Sequence, residues 1–85
     1  MPKVTVNYRG AMISVESDQY ETRLLINGLI RARVKLAQAT RLTSTVQTDY
    51  EWHEFIEATI KRNLSKVTIA LYANNVQIAL EDFTL

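Results

Sequence analysis

The alternation of apolar and polar residues at both ends of the chain constrains the fold more than any other feature. Near the N-terminus, KVTVNYRGAMISVE alternates on both sides of Arg9-Gly10, which is the spacing of two strands joined by a two-residue turn. This register predicts an antiparallel hairpin with one apolar face and one polar face. The apolar pairs are Tyr8/Ala11, Val6/Ile13 and Val4/Val15, and the reverse face carries Asn7/Met12, Thr5/Ser14 and Lys3/Glu16.

A second hairpin is predicted near the C-terminus, in KVTIALYANNVQIALEDF. Its turn is Asn74-Asn75, because asparagine tolerates the positive φ that a type I′ turn requires. The expected apolar pairs are Ala73/Val76, Leu71/Ile78 and Ile69/Leu80, with Tyr72/Gln77, Ala70/Ala79 and Thr68/Glu81 on the reverse face. Two hairpins therefore each offer one apolar face that the middle of the chain must cover.

The first part of that middle segment is interpreted as a helix. Asp18 followed by Glu21 matches a capping box, in which the first side chain accepts an orphan amide at the helix start. Gly28 lies inside this segment and would weaken a helix by about 1 kcal/mol relative to alanine. On a helical wheel one side collects Leu25, Ile26, Leu29, Ile30, Leu36 and Ala37.

The second part is interpreted as another helix, which begins with Thr48 and Glu51 as a second capping pair and ends at Asn63. Residues 40–47 are rich in threonine and are expected to form the connection or a short extra strand. The apolar side of this helix would carry Trp52, Phe55, Ile56, Thr59 and Ile60.

These elements predict a single α+β domain over residues 1–85 with the order ββααββ. The two antiparallel hairpins form one four-stranded sheet or are shared with a second subunit, and two helices pack on one face. Apart from an approximate mirror of the two halves, no internal repeat is expected.

Composition adds the expectation of a partner. A chain of 85 residues buries only about 60% of its unfolded surface, yet 47% of its residues are apolar. Some apolar surface is therefore expected to contact another protein or a second copy. The chain has no cysteine, which excludes disulfides and thiolate metal sites. With no apolar run approaching a membrane span and no leader-like start, we expect a soluble, cytoplasmic protein that does not contact membranes.

Local charge suggests where the partner binds. Five basic side chains against one acid lie between Glu21 and Arg41, and four acids against two bases lie between Asp49 and Arg62. The predicted helices would thus expose a basic ridge and an acidic ridge, although a solvated helix face alone could carry the same pattern. The basic ridge is Arg31, Lys35 and Arg41, and the acidic ridge is Glu51, Glu54 and Glu57. Arg33 falls among the apolar positions of its predicted helix. Its guanidinium must therefore extend to the solvent-exposed edge of that face or pair with a carboxylate.

Chemistry by the chain itself is not indicated. His53 with Glu57 has a spacing suited to a metal, but one histidine and one carboxylate cannot complete a coordination shell. No serine lies in a nucleophile motif and neither glycine belongs to a phosphate-binding loop. We therefore expect no catalytic residue, no metal and no cofactor.

The sequence thus predicts a small non-enzymatic protein-interaction module, homodimeric, acting by occupying a partner's surface. An accessory or inhibitory protein of the kind that mobile elements encode would fit this size. The alternative is a nucleic-acid-binding protein that uses the basic face of the first helix. Tyr72 is expected on an uncovered sheet face with Ala70, Ala79 and Phe83, next to few cations. The predicted partner-binding residues are Arg31, Lys35, Arg41, Glu51, Glu54, Glu57 and Tyr72.

Overall fold

The computed structural model describes residues 2–48 and 52–84, and all the regular secondary structure in these residues is β-strand. The predicted α+β class with two helices is therefore wrong, and the fold is all-β. The strands are β1 (Lys3–Tyr8), β2 (Ala11–Ser17), β3 (Glu21–Ile26), β4 (Leu29–Lys35), β5 (Ala39–Thr48), β6 (Trp52–Arg62), β7 (Lys66–Ala73) and β8 (Val76–Thr84).

The eight strands form two four-stranded antiparallel sheets, each a meander in chain order. The N-terminal sheet contains β1–β4 and the C-terminal sheet contains β5–β8. Their inner faces pack together around one apolar core, so neither sheet needs a helix to cover it. At the two sides, β4 lies near β5 and β1 lies near β8. Fully buried core side chains come from both sheets and include Ile13, Leu24, Ile56, Ile69 and Leu71.

The first hairpin forms as the alternation predicts. All six pairs from Lys3↔Glu16 to Tyr8↔Ala11 are present. The turn residues Arg9 and Gly10 have φ of 49° and 85°, the left-handed pair that a type I′ turn uses. In this segment all the apolar residues except the exposed Met12 point to one side, so the two-residue period is clear.

The segment predicted as the first helix is the hairpin β3–β4. Its turn is Asn27-Gly28, with φ of 52° and 81°. Leu24 and Ile26 face the core while Leu25 lies on the opposite side, partly exposed. Because apolar residues occupy both sides of β3, the two-residue period disappears and a spacing that resembles a helix remains.

The presumed capping box is a turn between β2 and β3. Asp18 Oδ1 accepts the amides of Tyr20 at 2.7 Å and Glu21 at 2.8 Å, while the Asp18 amide donates to the Glu21 carbonyl at 3.0 Å. A helix N-cap uses the same bonds from an aspartate to the amides that follow it. The Asp18 side chain accepts a following amide as predicted, but the Glu21 side chain binds Arg23 and the element that starts here is a strand.

The segment predicted as the second helix is strand β6, which pairs along its length with β5. Ile56, Ala58 and Ile60 are buried at every second position, which is the strand period. Phe55 lies on the other side and is exposed, so it is not a core residue. Of the second capping pair, Thr48 ends β5 and Glu51 lies outside the described residues.

The second hairpin turns at Asn74-Asn75 as predicted, with φ of 50° and 68°. The pairs Ala73↔Val76 and Tyr72↔Gln77 match the prediction, but Leu71 then pairs with Ala79 because Ile78 is an extra residue in β8. This β-bulge moves every later residue of β8 to the opposite face. Consequently Phe83 packs against the core, and Leu80 lies outside, opposite Ala70.

The two sheets share a structural repeat that the sequence analysis did not find. Asn63 repeats the Asp18 turn: its Oδ1 accepts the amides of Ser65 and Lys66, both at 2.9 Å, and its amide donates to the Lys66 carbonyl at 3.0 Å. Each of these turns joins the second strand of its meander to the third. Ser17 and Arg62, which precede Asp18 and Asn63, therefore occupy equivalent positions.

The later turns repeat as well. Asn27 Oδ1 accepts the Met12 amide and Asn74 Oδ1 accepts the Phe55 amide, both at 2.9 Å. The backbone amides of Asn27 and Asn74 donate to the Met12 and Phe55 carbonyls, both at 2.8 Å. An unpaired bulge residue follows four positions later in each sheet, at Arg31 and Ile78. The expectation of no repeat beyond a mirror is wrong, because the turns carry the repeat while the side chains between them differ.

No helix capable of spanning a membrane was found in the part of the chain that the structure describes.

Candidate partner interface

The outer face of the C-terminal sheet carries a cluster of apolar side chains. In β7, the residues that alternate with the buried Ile69 and Leu71 point outward, and they include Ala70 and Tyr72. Leu80 lies opposite Ala70 and is 55% exposed. Phe55 of β6 shares this face because it alternates with the buried Ile56. We call Phe55, Ala70, Tyr72 and Leu80 together the C-terminal outer patch.

Charged side chains of both signs surround this patch. On one side Arg41 of β5 forms an ion pair with Glu57 of β6. Near the C-terminal end of β8, Asp82 accepts a hydrogen bond from the Thr68 hydroxyl at 2.6 Å. Its carboxylate also lies 4.0 Å from Lys66 Nζ. An apolar centre with a polar, mixed-charge rim is the usual composition of a protein–protein contact surface.

The charged ridges predicted for the helices are absent from the residues that the structure describes. Arg41 and Glu57, expected on opposite ridges, are paired with each other. Arg31 is the bulge residue of β4, and its Nη2 donates to the Thr45 carbonyl of β5 at 3.0 Å. Lys35 is exposed at the end of β4. The predicted basic residues therefore lie in three different environments, because adjacent strands rather than one helix carry them.

The strongest ionic cluster lies on the outer face of the N-terminal sheet. Arg23 contacts three carboxylates: Glu16 at 2.8 Å, Asp18 at 2.9 Å and Glu21 at 2.9 Å. The hydrogen bonds that Arg23 donates to Glu16, Asp18 and Glu21 raise the pKa of Arg23 above its already high usual value. The amides of Glu21 and Tyr20, followed by Arg23, lower the pKa of Asp18 from 3.8 to about 2. Arg33 pairs with Arg23 on the neighbouring strand. Its side chain is exposed, as expected for a residue of the edge strand β4.

Glu54 lies inside the molecule, not on an exposed ridge, and is only 4% exposed. Its Oε1 accepts the Tyr8 hydroxyl at 3.3 Å and the Asn74 Nδ2 at 3.5 Å, and lies 3.1 Å from Arg9 Nη1. These donors come from both sheets, so Glu54 joins the sheets at one end of the core. A cleft of about 540 Å³ opens beside it between Tyr8, Val76 and Ile78.

Of the predicted partner-binding residues, Arg41, Glu57 and Tyr72 lie on one face, whereas Arg31, Lys35 and Glu54 lie elsewhere. Glu51 is outside the described residues. Phe55 and Leu80 were not predicted from the sequence to bind a partner. Phe55 is recognisable as outward-facing once residues 54–60 are taken with a two-residue period, because Ile56, Ala58 and Ile60 then share the inner side. Leu80 has no comparable signal, since its side depends on the bulge.

His53 is exposed on β6. Within residues 2–48 and 52–84, no three histidine or carboxylate side chains come together as a set able to hold a metal ion.

Comparisons of this chain with protein-family models, with curated proteins and with solved structures gave no match. The geometry of the chain's own residues is therefore the basis for assigning a function.

Proposed function

We propose that the protein is a non-enzymatic interaction module that covers a protein surface with the C-terminal outer patch, and that its simplest partner is a second copy of the chain. The observation that carries this proposal is the exposure of Phe55 and Leu80 on the face that also holds the partly exposed Tyr72 and the small Ala70, within a mixed-charge rim. Aromatic residues and arginine are the residue types that contribute most to binding energy at protein interfaces.

The rim favours self-association because it carries both signs. Arg41 and Lys66 are basic, and Glu57 and Asp82 are acidic, so two copies related by a two-fold axis need not place like charges opposite each other. An inhibitory or accessory role would follow if the same face covers a functional surface on another protein. Such a target would compete with self-association.

The available area predicts a weak dimer. Four strands about 4.8 Å apart, with about eight residues at about 3.3 Å each, present roughly 500 Å² of face per copy. Two copies would bury about 1,000 Å², the lower limit for a specific protein–protein interface. Self-association is therefore expected to depend on concentration within the micromolar to millimolar range.

Binding of nucleic acid through a basic face has less support. Its premise was one helical ridge, but Arg23 and Arg41 are paired with carboxylates and Arg31 donates to a backbone carbonyl. Pairing with carboxylates removes the positive potential that phosphate groups would require.

The test compares Leu80→Glu with Ile30→Glu. Ile30 is exposed to a similar extent, 49% against 55%, but lies on the outer face of the N-terminal sheet. Both variants add one negative charge at an exposed strand position, so both are expected to fold. Light scattering and sedimentation over a concentration series should show a dimer for the wild-type chain and for Ile30→Glu, and a monomer for Leu80→Glu.

A wild-type chain that stays monomeric up to millimolar concentration would contradict the homodimer. Loss of the dimer in Ile30→Glu but not in Leu80→Glu would assign the interface to the other sheet. Either result would remove the proposed role of the C-terminal outer patch in self-association.

A further inference from the structure

Arg62 enters the core region at the end opposite Glu54. It ends β6 on the side of the buried Ile60, and its Nη2 donates to the hydroxyl of Ser17, in the other sheet, at 2.7 Å. Ser17 is fully buried, and its hydroxyl also hydrogen-bonds the buried Thr22 hydroxyl at 3.0 Å. The guanidinium therefore joins the two sheets through a neutral hydroxyl.

The positive charge of Arg62 has no carboxylate within ion-pair distance in the described part of the chain. Its Nε is buried and has no hydrogen-bond partner there. A partly buried charge without a counter-ion destabilises a protein, and a buried donor without an acceptor adds to that cost. Arg23, surrounded by three carboxylates, shows that this chain can supply counter-ions to an arginine.

The structural repeat shows that an arginine is not needed to build this end. At the equivalent position the N-terminal sheet has Ser17, followed by Asp18, and forms the same turn. The C-terminal sheet has Arg62 followed by Asn63, so the turn residue beside the arginine carries no charge. Compared with the Asp18 turn, the Asn63 turn therefore has an additional positive charge, from Arg62, and lacks the negative charge of an aspartate.

A cleft of about 420 Å³ opens at this position and is lined by Gln38, Arg62, Asn63 and Leu64. None of these residues is acidic. Asn63 uses its Oδ1 in the turn, which leaves its Nδ2 as the group able to donate to a ligand. Leu64 is fully exposed beside the cleft and provides an apolar surface.

We propose that this Arg62 cleft binds a small organic carboxylate, whose charged group compensates the guanidinium and whose apolar part contacts Leu64. A guanidinium and a carboxylate are both planar and carry opposite charges, so they can form two parallel hydrogen bonds. The cleft volume falls in the range of pockets for small organic ligands, and a lone inorganic ion would leave most of it empty. This site lies apart from the C-terminal outer patch and does not depend on the proposed function.

NMR titration tests the site with hexanoate, acetate and inorganic phosphate as probes at constant ionic strength. The signals to follow are the Arg62 Nε–H and the backbone amides of residues 62–64. Hexanoate should produce saturable shifts at lower concentration than acetate, because only hexanoate reaches Leu64. Leu64→Ala should bring the two affinities together.

Arg62→Met should weaken hexanoate binding at least about tenfold, since it removes a charge-assisted hydrogen-bond donor. The control is Arg33→Met, which removes the same charge from an exposed arginine and should change the affinity by less than about twofold. Arg62→Lys retains the charge without the planar donor group and should give an intermediate loss.

Three results would overturn the proposal: shifts that do not saturate, equal weakening by Arg33→Met and Arg62→Met, or tighter binding of phosphate than of hexanoate. Because Leu80→Glu leaves the Arg62 cleft intact, failure here can be distinguished from failure of the proposed dimer.

Discussion

The two ends of the sandwich hold a buried acid and a partly buried base, and they supply these two charges with different numbers of partners. At one end Glu54 accepts hydrogen bonds from Tyr8 and Asn74 and pairs with Arg9, so donors from both sheets compensate the acid. At the other end Arg62 has one neutral hydroxyl, from Ser17. A buried charge with several partners stabilises the arrangement around it, whereas a buried charge with too few partners reduces stability and is available to a ligand.

The turns differ in the same way. The Glu54 end contains two-residue turns built from left-handed residues, Arg9-Gly10, Asn27-Gly28 and Asn74-Asn75. The Arg62 end contains the longer turns in which Asp18 and Asn63 accept two following amides. At the Arg62 end the side-chain oxygens accept amides within the turn itself, whereas at the Glu54 end Asn27 and Asn74 accept amides of a neighbouring strand and the turns have left-handed backbone conformations.

Glu54→Ala should lower the free energy of unfolding by about 2–3 kcal/mol, because it leaves the Tyr8 hydroxyl and the Asn74 amide without their acceptor. The loss stays below that of a fully buried ion pair, since Arg9 is half exposed and can be hydrated. Urea unfolding measures it. Glu54→Gln, which keeps an acceptor, is the control and should lose less; equal losses would mean that charge alone matters.

Gly28→Ala should lower the free energy of unfolding by about 1–2 kcal/mol, because φ of 81° is strained for any residue with a Cβ. No atom lies within 4 Å of the added Cβ, so the cost comes from the backbone alone. In a helix the same change would stabilise by about 1 kcal/mol. The sign of the change in thermal unfolding therefore tests the β3–β4 hairpin directly, and an increase would contradict it.

Arg62→Met should leave the free energy of unfolding unchanged or raise it by up to about 1 kcal/mol. Methionine fills a similar volume without a buried unpaired donor, and Ser17 and Thr22 still bond each other. Chemical denaturation compares this variant with Glu54→Ala. A loss as large as that of Glu54→Ala would show that both ends are structural and would remove the contrast between them.

Lowering the pH should reduce the free energy of unfolding by protonating the carboxylate of Asp18, which lies at the Arg62 end. Because its pKa falls from 3.8 to about 2 on folding, the folded protein binds fewer protons than the unfolded chain between these values. The contribution is complete above about pH 4 and is lost as the pH falls through about 2. Thermal unfolding over this range should show a shallower pH dependence in Asp18→Asn than in the wild-type chain. Identical slopes would contradict the assignment to Asp18.

The first hairpin was predictable pair by pair because all its apolar residues except Met12 lie on one side of the strands. The β3–β4 hairpin was not, although Asn27-Gly28 is a strong turn signal and was available in the sequence. It was overlooked because Leu24, Leu25 and Ile26 place apolar groups on both sides of β3. The Asp18–Glu21 pair added to the error, since strand turns and helix starts use the same aspartate bonds.

The candidate interface was predictable only in part. Tyr72 was placed correctly on the outer face because it lies close to the Asn74-Asn75 turn. Its pairing with Gln77 comes before the bulge, so counting from the turn gives the right register. Leu80 lies beyond the bulge at Ile78, so alternation counted from the turn places it on the wrong side. The pairing of Arg41 with Glu57 requires β5 and β6 to be adjacent, which two separate helices would not imply.

The sequence by itself determined the turns at Arg9-Gly10 and Asn74-Asn75 and marked element boundaries at Asp18 and Asn63, because these features depend on residues within a few positions of each other. Only the tertiary structure decided that residues 21–35 and 52–62 form strands, on which side of β8 the residues after the bulge lie, and that Arg62 meets Ser17. These outcomes depend on contacts between residues far apart in the chain, and a bulge or an apolar residue on the outer side changes them without altering any local turn signal.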